Sequence, residues 1–444
     1  MWVEELQLDN IKLFAKPTRL AFARRKDEPY RWVTLLGENG GGKSTVLQAL
    51  ALLLAGPESA QKLCPRPVAW LRDEARYGRV SVRVHQEHGD SGQFGTEKVH
   101  RAFGYSFHVT GSQPLEIRNR HYSEPAVVEN VERRLSWLRE NAFGPESSGW
   151  FAAGYGPFRR LTREVRVILP SPRRPARWEN FLTQFNEDEP LSTFEEWLVY
   201  LDYQQSKEPG NAKVERQKTL AIQAVNHLLP RGTEFDSVSK EARIYFRSGG
   251  QVVPTSSLSD GYRSILALAG DLVFRLLTAF PDSPHPLRER GVVLIDELDI
   301  HLHPVWQREI AGWLRDRFPL LQFIVATHSP FVAAGAGEDA LTLKLSARDD
   351  RVEVEEIRDL SSRDVGWILK SRAFDLVSTY SPRADEKISR YDSLRRKRGR
   401  RTLAEEEELG QLSLFIAQER PFGGPPEEGS LEARIDEYLA KTIP

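Results

Sequence analysis

The chain has 444 residues, 28 % of them charged, and a formal net charge of −1, so it is long enough for more than one domain and carries no global field toward nucleic acid or membranes. A single cysteine, Cys64, excludes a disulfide scaffold and fits a reducing compartment, and no apolar run reaches the ~20 residues that span a bilayer. Glu4 and Glu5 stand where a secretory leader would be basic, so the expectation is a cytoplasmic protein without a membrane partner.

In chain order, Val3, Leu6, Leu8 and Ile11 predict a first strand. A second covers Leu20 to Ala23, with Arg24-Arg25-Lys26 as a hairpin tip or, as the second reading, a contact with phosphate or DNA. Trp32-Val33-Thr34-Leu35-Leu36 predicts a buried strand that runs into Gly37-Glu38-Asn39-Gly40-Gly41-Gly42-Lys43-Ser44-Thr45. An amphipathic helical segment is expected from Val46 to Leu54, stopping at Gly56-Pro57. Strand, glycine loop and helix in this order match G-x-x-x-x-G-K-[ST] in the context that phosphate binding requires. The glycines let successive N–H groups converge at a helix N-terminus, where anions are favoured. Lys43 is expected to reach the β- and γ-phosphates of ATP, and the Ser44 hydroxyl to hold Mg²⁺.

From 78 to 120 the apolar period is two (Val80, Val82, Val84; Tyr105, Phe107, Val109), the pattern of a half-buried antiparallel sheet. Pro125 is expected to start a helix through Val131, Leu135 and Leu138 that ends near Gly144-Pro145, and Trp150 to Tyr155 reads as a short strand. Residues 159–177 carry Arg159, Arg160, Arg163, Arg166, Arg173, Arg174 and Arg177 against one acid, Glu164, and Pro170, Pro172 and Pro175 break any element there. Two readings stand for this stretch: a solvated loop, or a contact with phosphates of nucleotide or nucleic acid. A helical insertion is expected over 178–257. Ser192-Thr193-Phe194-Glu195 forms a capping box, Asn211 caps a second helix, and a hairpin turns at Gly249-Gly250.

Val292 to Ile295 and Phe323 to Ala326 are continuous apolar runs, as parallel strands buried on both faces require. Ile295-Asp296-Glu297 ends the first with two carboxylates. Asp296 suits Mg²⁺ bridging the β- and γ-phosphates, and Glu297 is placed to orient and deprotonate an attacking water. Ser259 and Gly261, in Leu258-Ser259-Asp260-Gly261-Tyr262, stand at the start of a long helix and form a second anion-binding point. One triphosphate does not need two such points in one chain; a second chain does. His328, in Ala326-Thr327-His328-Ser329, follows the last core strand, where a side chain can sense a γ-phosphate. His301 and His303 alone are thin evidence for a metal site. Beyond 361 come helices with a basic run (Arg395 to Arg401) and an acidic one (Glu405 to Glu408), which read as solvated faces.

The phosphate loop, the Leu258–Tyr262 stretch, the Asp296-Glu297 strand end and the Ala326–Ser329 switch, in this order, resemble the ATP-binding-cassette (ABC) ATPases, and within them the soluble RecF, SMC and OLD heads. The fold this implies is α/β: an ABC-ATPase head with a phosphate-loop core sheet, an antiparallel β-subdomain, a helical insertion and a C-terminal helical segment. Expected boundaries are 1–177, 178–257, 258–360 and 361–444. The resemblance further implies a head-to-tail pair of subunits, each ATP lying between one chain's phosphate loop and the other's Ser259 and Gly261, with Asp299 in a loop that touches the partner. Asp260 and Tyr262 depart from the family signature, which has Gly and Gln there; Arg263 is the nearest residue to offset the acid. The family's metal-sensing glutamine corresponds to the Tyr155-Gly156-Pro157 region, which has none, with Gln184 as the alternative. Trp367 to Ser371 and Phe374 to Thr379 are similar to PtuA-type ATPases of Septu and retron anti-phage systems, which implies an HNH nuclease as effector. Alternatives are a RecF-like DNA-repair or DNA-sensing ATPase, a transporter's nucleotide-binding subunit and a non-catalytic ATP-gated scaffold.

Overall fold

A computed structural model describes residues 1–418 except 26, 88, 93–101, 118, 131–132, 145–146, 160, 162–175, 192, 230–231, 349–350 and 398. The chain opens with β1 (Trp2–Asp9), β2 (Thr18–Ala21), the hairpin β3 (Ala23–Arg25) and β4 (Glu28–Pro29), and β5 (Trp32–Leu36), followed by α1 (Lys43–Ala55) and α2 (Pro57–Leu63). Next come β6 (Gly78–His85), β7 (Ala102–Thr110), β8 (Leu115–Ile117), β9 (Arg120–Tyr122), β10 (Ala126–Glu129), α3 (Arg133–Asn141) and β11 (Phe151–Tyr155). A 3₁₀ turn (Arg177–Gln184) leads to α4 (Thr193–Lys207), α5 (Ala212–Leu228), β12 (Thr233–Val238), β13 (Ile244–Ser248) and β14 (Gln251–Pro254). Then follow α6 (Asp260–Ala279), β15 (Gly291–Ile295), α7 (Pro304–Arg317), β16 (Leu321–Ala326), α8 (Pro330–Gly335), β17 (Leu341–Arg348) and β18 (Arg351–Ile357). These elements fall in one compact unit, Met1–Arg363; α9 (Val365–Lys370), α10 (Pro382–Arg396) and α11 (Leu403–Gln418) fall in a second, Asp364–Pro444.

The site is positioned by a six-stranded sheet of order β11-β15-β16-β5-β17-β18, parallel except for the edge strand β18. Every residue of β5, β15 and β16 is buried, which accounts for their unbroken apolar sequences. Alternation assigns the two faces. Val33, Leu35, Val292, Leu294, Ile324 and Ala326 join a core with α1, whereas Val293, Ile295, Phe323 and Val325 join a core with α6 and α7. The helix behind the phosphate loop and the helix behind Ser259 therefore cover opposite faces. Because β15, β16 and β5 are adjacent and parallel, the loops after their C-terminal ends gather at one edge.

The antiparallel sheet has order β10-β7-β6-β1-β2, and its inner face (Leu6, Leu8, Val80, Val82, Phe107, Val109) packs in the α1 core. One element differs from the sequence reading. Ala126–Glu129 is a strand paired with β7, not the start of a helix, and α3 begins at Arg133. Its β-branched Val127 and Val128 suit a pleated surface, and the Asn130 amide donates to the Ser106 hydroxyl at 3.1 Å. Asn211 caps α5 as expected, accepting from the N–H groups of Lys213 and Val214. Ser192 of the capping box lies outside the described residues. The hairpin at Gly249-Gly250 gains a third strand, β12.

The arginine-rich stretch is corrected where it is described. Arg159 is buried and Arg177 half-buried, and both guanidinium groups are spent on main-chain carbonyls rather than turned to an outside phosphate. Arg177 donates to the carbonyls of Leu54, Ala142 and Trp150, so it satisfies helix-end and loop oxygens that have no helical partner. Arg160, Arg163, Arg166, Arg173 and Arg174 lie outside the described residues. In the second unit the two charge runs meet at Lys397–Glu405 (2.7 Å), and Arg390, ahead of the basic run, meets Glu408 at 2.8 Å. Among the described residues no helix is long and apolar enough to cross a membrane.

Candidate active site

Between β5 and α1 the loop turns through Gly37, Gly40 and Gly42 at φ of 147°, 77° and 94°, conformations that side chains resist. No side chain caps α1 at Gly42, so its first-turn N–H groups are left for an anion. Glu38, Asn39 and Gly40 are exposed, the Gly41 N–H closes the loop on the Glu38 carbonyl at 3.0 Å, and Thr45 is buried behind. Lys43 is buried, and its Nζ donates to the carbonyls of Gly37 (2.8 Å) and Glu38 (3.0 Å). Burial lowers the Lys43 pKa, while Asp296, Glu297 and Asp299 pull it back up.

Directly after β15, the Asp296 N–H donates to the Tyr155 carbonyl at 2.8 Å, which ties the strand end to β11. The Asp296 carboxyl is buried and accepts the Ser44 hydroxyl, yet its Oδ1 has no hydrogen-bond partner among the described residues. Burial raises its pKa; the Ser44 bond opposes that, Glu297 adds repulsion, and Lys43 and Arg159 lower it. A desolvated carboxylate with an unpaired oxygen beside a serine hydroxyl is a hard-oxygen donor set, and it fits Mg²⁺. Glu297 follows at φ 45°, in the left-handed region. Two residues on, Asp299 Oδ1 accepts the Thr327 hydroxyl and the His328 N–H (3.3 Å), so this carboxylate is held against the switch loop of its own chain. Burial and Lys43 lower the His328 pKa while Asp299 and Asp296 oppose. Ser329 caps α8 and donates to Gln307 of α7 at 2.7 Å, fixing the far side of that loop.

Ser259 caps α6, and both it and Asp260 are exposed. Gly261 is buried, and a Cβ there would stand 2.9 Å from the His301 carbonyl oxygen, so only glycine fits without a shift. The Tyr262 ring meets Trp306 edge-on at 4.6 Å, so the signature stretch rests on the first turn of α7. Arg263 lies 3.4 Å from Asp260 and also donates to the Leu161 carbonyl. The acid that departs from the family signature thus has its cation. Among the described residues, no hydrogen bond or ion pair joins 259–261 to 37–45.

Two residues change standing. Gln184 ends the 3₁₀ turn against Gly154; its side-chain amide is buried without a partner among the described residues, and its carbonyl accepts from Gln48, one turn beyond Ser44. Arg159, read from the sequence only as part of a basic run, reaches the carbonyls of Gly156, Asp296, Glu297 and Leu298. The signal for it was slight: an arginine four residues after a buried strand. His303 Nδ1 accepts from the Val305 N–H as the cap of α7, and no group of three or more His, Cys, Asp or Glu among the described residues could hold a metal.

The Septu protein PtuA of Bacillus mycoides (strain KBAB4) is 26 % identical over 443 residues, 99 % of this chain and 54 % of that protein. The Retron Ec83 probable ATPase of Escherichia coli is 52 % identical over 75 residues, 17 % of this chain and 14 % of that protein. The chain thus spans about half, or less, of the length of these curated relatives. A solved SMC head bound to the C-winged helix domain of ScpA aligns over 82 % of this chain and 100 % of that one, at a TM-score of 0.47 and 18 % identity. Residues 33–334, which run from β5 to α8 and contain every site residue above, match the family described as "AAA domain, putative AbiEii toxin, Type IV TA system", and the chain belongs to that family.

Proposed function

We propose that the chain binds ATP with Mg²⁺ at this site and hydrolyses it, in a head-to-tail pair with a second copy, and that the cycle controls a separate effector in anti-phage defence. The observation that carries the reading is the buried, unpaired oxygen of Asp296 beside Ser44, at the mouth of a glycine loop with a buried lysine. In this reading the N–H groups of 37–45 and Lys43 hold the phosphates, and Ser44 and Asp296 hold the Mg²⁺. The ion would neutralise charge on the β- and γ-oxygens. Glu297 orients a water and takes its proton as the water oxygen bonds the γ-phosphorus and the bond to ADP breaks. His328 donates to the γ-phosphate.

Ser259 and Gly261 act on the second copy's ATP. The opposite-face placement of α1 and α6 supports that assignment. The defence role draws on the relatives named for Septu and retron systems. An HNH-type nuclease as the effector rests on the resemblance of the tail. The test uses the full chain with ATP and Mg²⁺. Glu297→Gln is expected to lose at least about 10²-fold in kcat while still binding ATP and accumulating as a dimer in light scattering. A Glu297→Gln protein as active as the wild type overturns the proposal.

A further inference from the structure

We infer that Arg159 is a positioning residue for hydrolysis: its guanidinium fixes the main chain of the turn that carries Glu297, an inference that rests on the ATP-hydrolysing reading above. Arg159 is 4 % exposed and follows the end of β11. Nη1 donates to the carbonyls of Gly156 (3.1 Å) and Asp296 (2.7 Å), and Nη2 to those of Glu297 (2.8 Å) and Leu298 (3.4 Å). Three consecutive carbonyls, 137 to 139 residues away in sequence, therefore converge on one planar fork.

That turn needs holding. Glu297 sits at φ 45°, a conformation that a residue with a Cβ keeps only where its surroundings over-determine it. The N–H of Asp296 is tied to Tyr155, the N–H of Leu298 to Ala326, and the Glu297 carbonyl also accepts from Ile300. Arg159 supplies the remaining tie, on the carbonyl side. Among the described residues no hydrogen bond or ion pair engages the Glu297 carboxylate itself, so its aim is set through the main chain.

The charge also has a reason. All four acceptors are neutral carbonyls, which a neutral donor could have satisfied without the cost of burying an ion. Asp296, Asp299 and Glu297 surround the guanidinium with opposite charge. Two residues on, the Leu161 carbonyl accepts from Arg263 of α6, which anchors the same short segment to the signature helix.

The experiment compares Arg159→Lys and Arg159→Met with wild type, in the full chain. It reads kcat and KM for ATP hydrolysis, the thermal transition, and hydrogen exchange of the amides in 296–303. Lys keeps the charge and loses the fork. Both variants are expected to lose about 10²-fold in kcat with KM within about threefold of wild type, and to exchange 296–303 faster. A Lys variant with wild-type kcat, or 296–303 exchange unchanged in a variant that has lost kcat, overturns the inference. Where Met fails to give a cooperative transition, Lys decides. A wild-type chain without ATPase activity sinks the hydrolysis reading alone, and the exchange data still decide whether Arg159 holds the turn.

Discussion

Glu195 stands in the first turn of α4, bonded to Thr255 and facing Arg263 of the signature helix. Burial is the largest influence on its carboxyl; Thr255 and Arg263 work against it, and the result is a pKa of about 7 against an ordinary 4.5. Between those values the folded chain holds a proton that the unfolded chain has released. Stability therefore falls as pH rises from about 4.5 to about 7 and is flat above. Glu195→Gln mimics the protonated form. It should match wild type in urea unfolding at pH 5 and be more stable by about 1 to 3 kcal/mol at pH 8. An equal gap at both pH values would falsify the assignment. The sequence shows Glu195 only as the closing residue of a capping box; nothing local to it announces Arg263, sixty-eight positions away.

At the scale of elements, what could be read in advance depended on how far away the cause lay. The β5–loop–α1 unit, β15 and β16 are legible because burial on both faces leaves continuous apolar runs. Asp296, Glu297 and His328 are legible because they end those runs. Ala126–Glu129 was misread because Pro125 suggests a helix start, while the edge of β7 that recruits the segment lies elsewhere in the chain. Arg159 and Arg177 were misread because charge alone does not reveal which carbonyls need a donor.

Helix α6 carries a third case. The apolar stripe of Ile265, Leu268, Leu272 and Leu276 accounts for the helix and says nothing of Asp271 and Arg275. Both are buried, joined at 2.5 Å, with Arg275 also donating to Asn180 of the 3₁₀ turn. Asp271→Ala strands a buried guanidinium and is expected to cost about 3 to 5 kcal/mol, whereas Asp271→Leu with Arg275→Met should recover most of it. Chemical denaturation checks both; a single Ala variant within about 1 kcal/mol of wild type would mean that Arg275 finds water instead.

At the scale of the molecule, the proposed two-chain site can be tested through the placement of its two halves on the sheet. The phosphate loop and α1 lie on one face and α6 on the other, and α6 begins at an exposed Ser259. If each ATP is completed by a second copy, two differently damaged chains can repair one site between them. Lys43→Ala removes the cradle but leaves the signature, and Ser259→Arg does the reverse. Each is expected to be inactive alone. In a mixed pair, the intact cradle of one chain meets the intact signature of the other at one of the two sites. Equal mixing gives half mixed pairs, so independent sites should regain roughly a quarter of wild-type ATPase activity. The gain should rise with the fraction of mixed dimers and vanish on dilution below the dimer's dissociation range. A site built within one chain allows no gain at any mixing ratio, and that result would place Ser259 and Gly261 outside the chemistry.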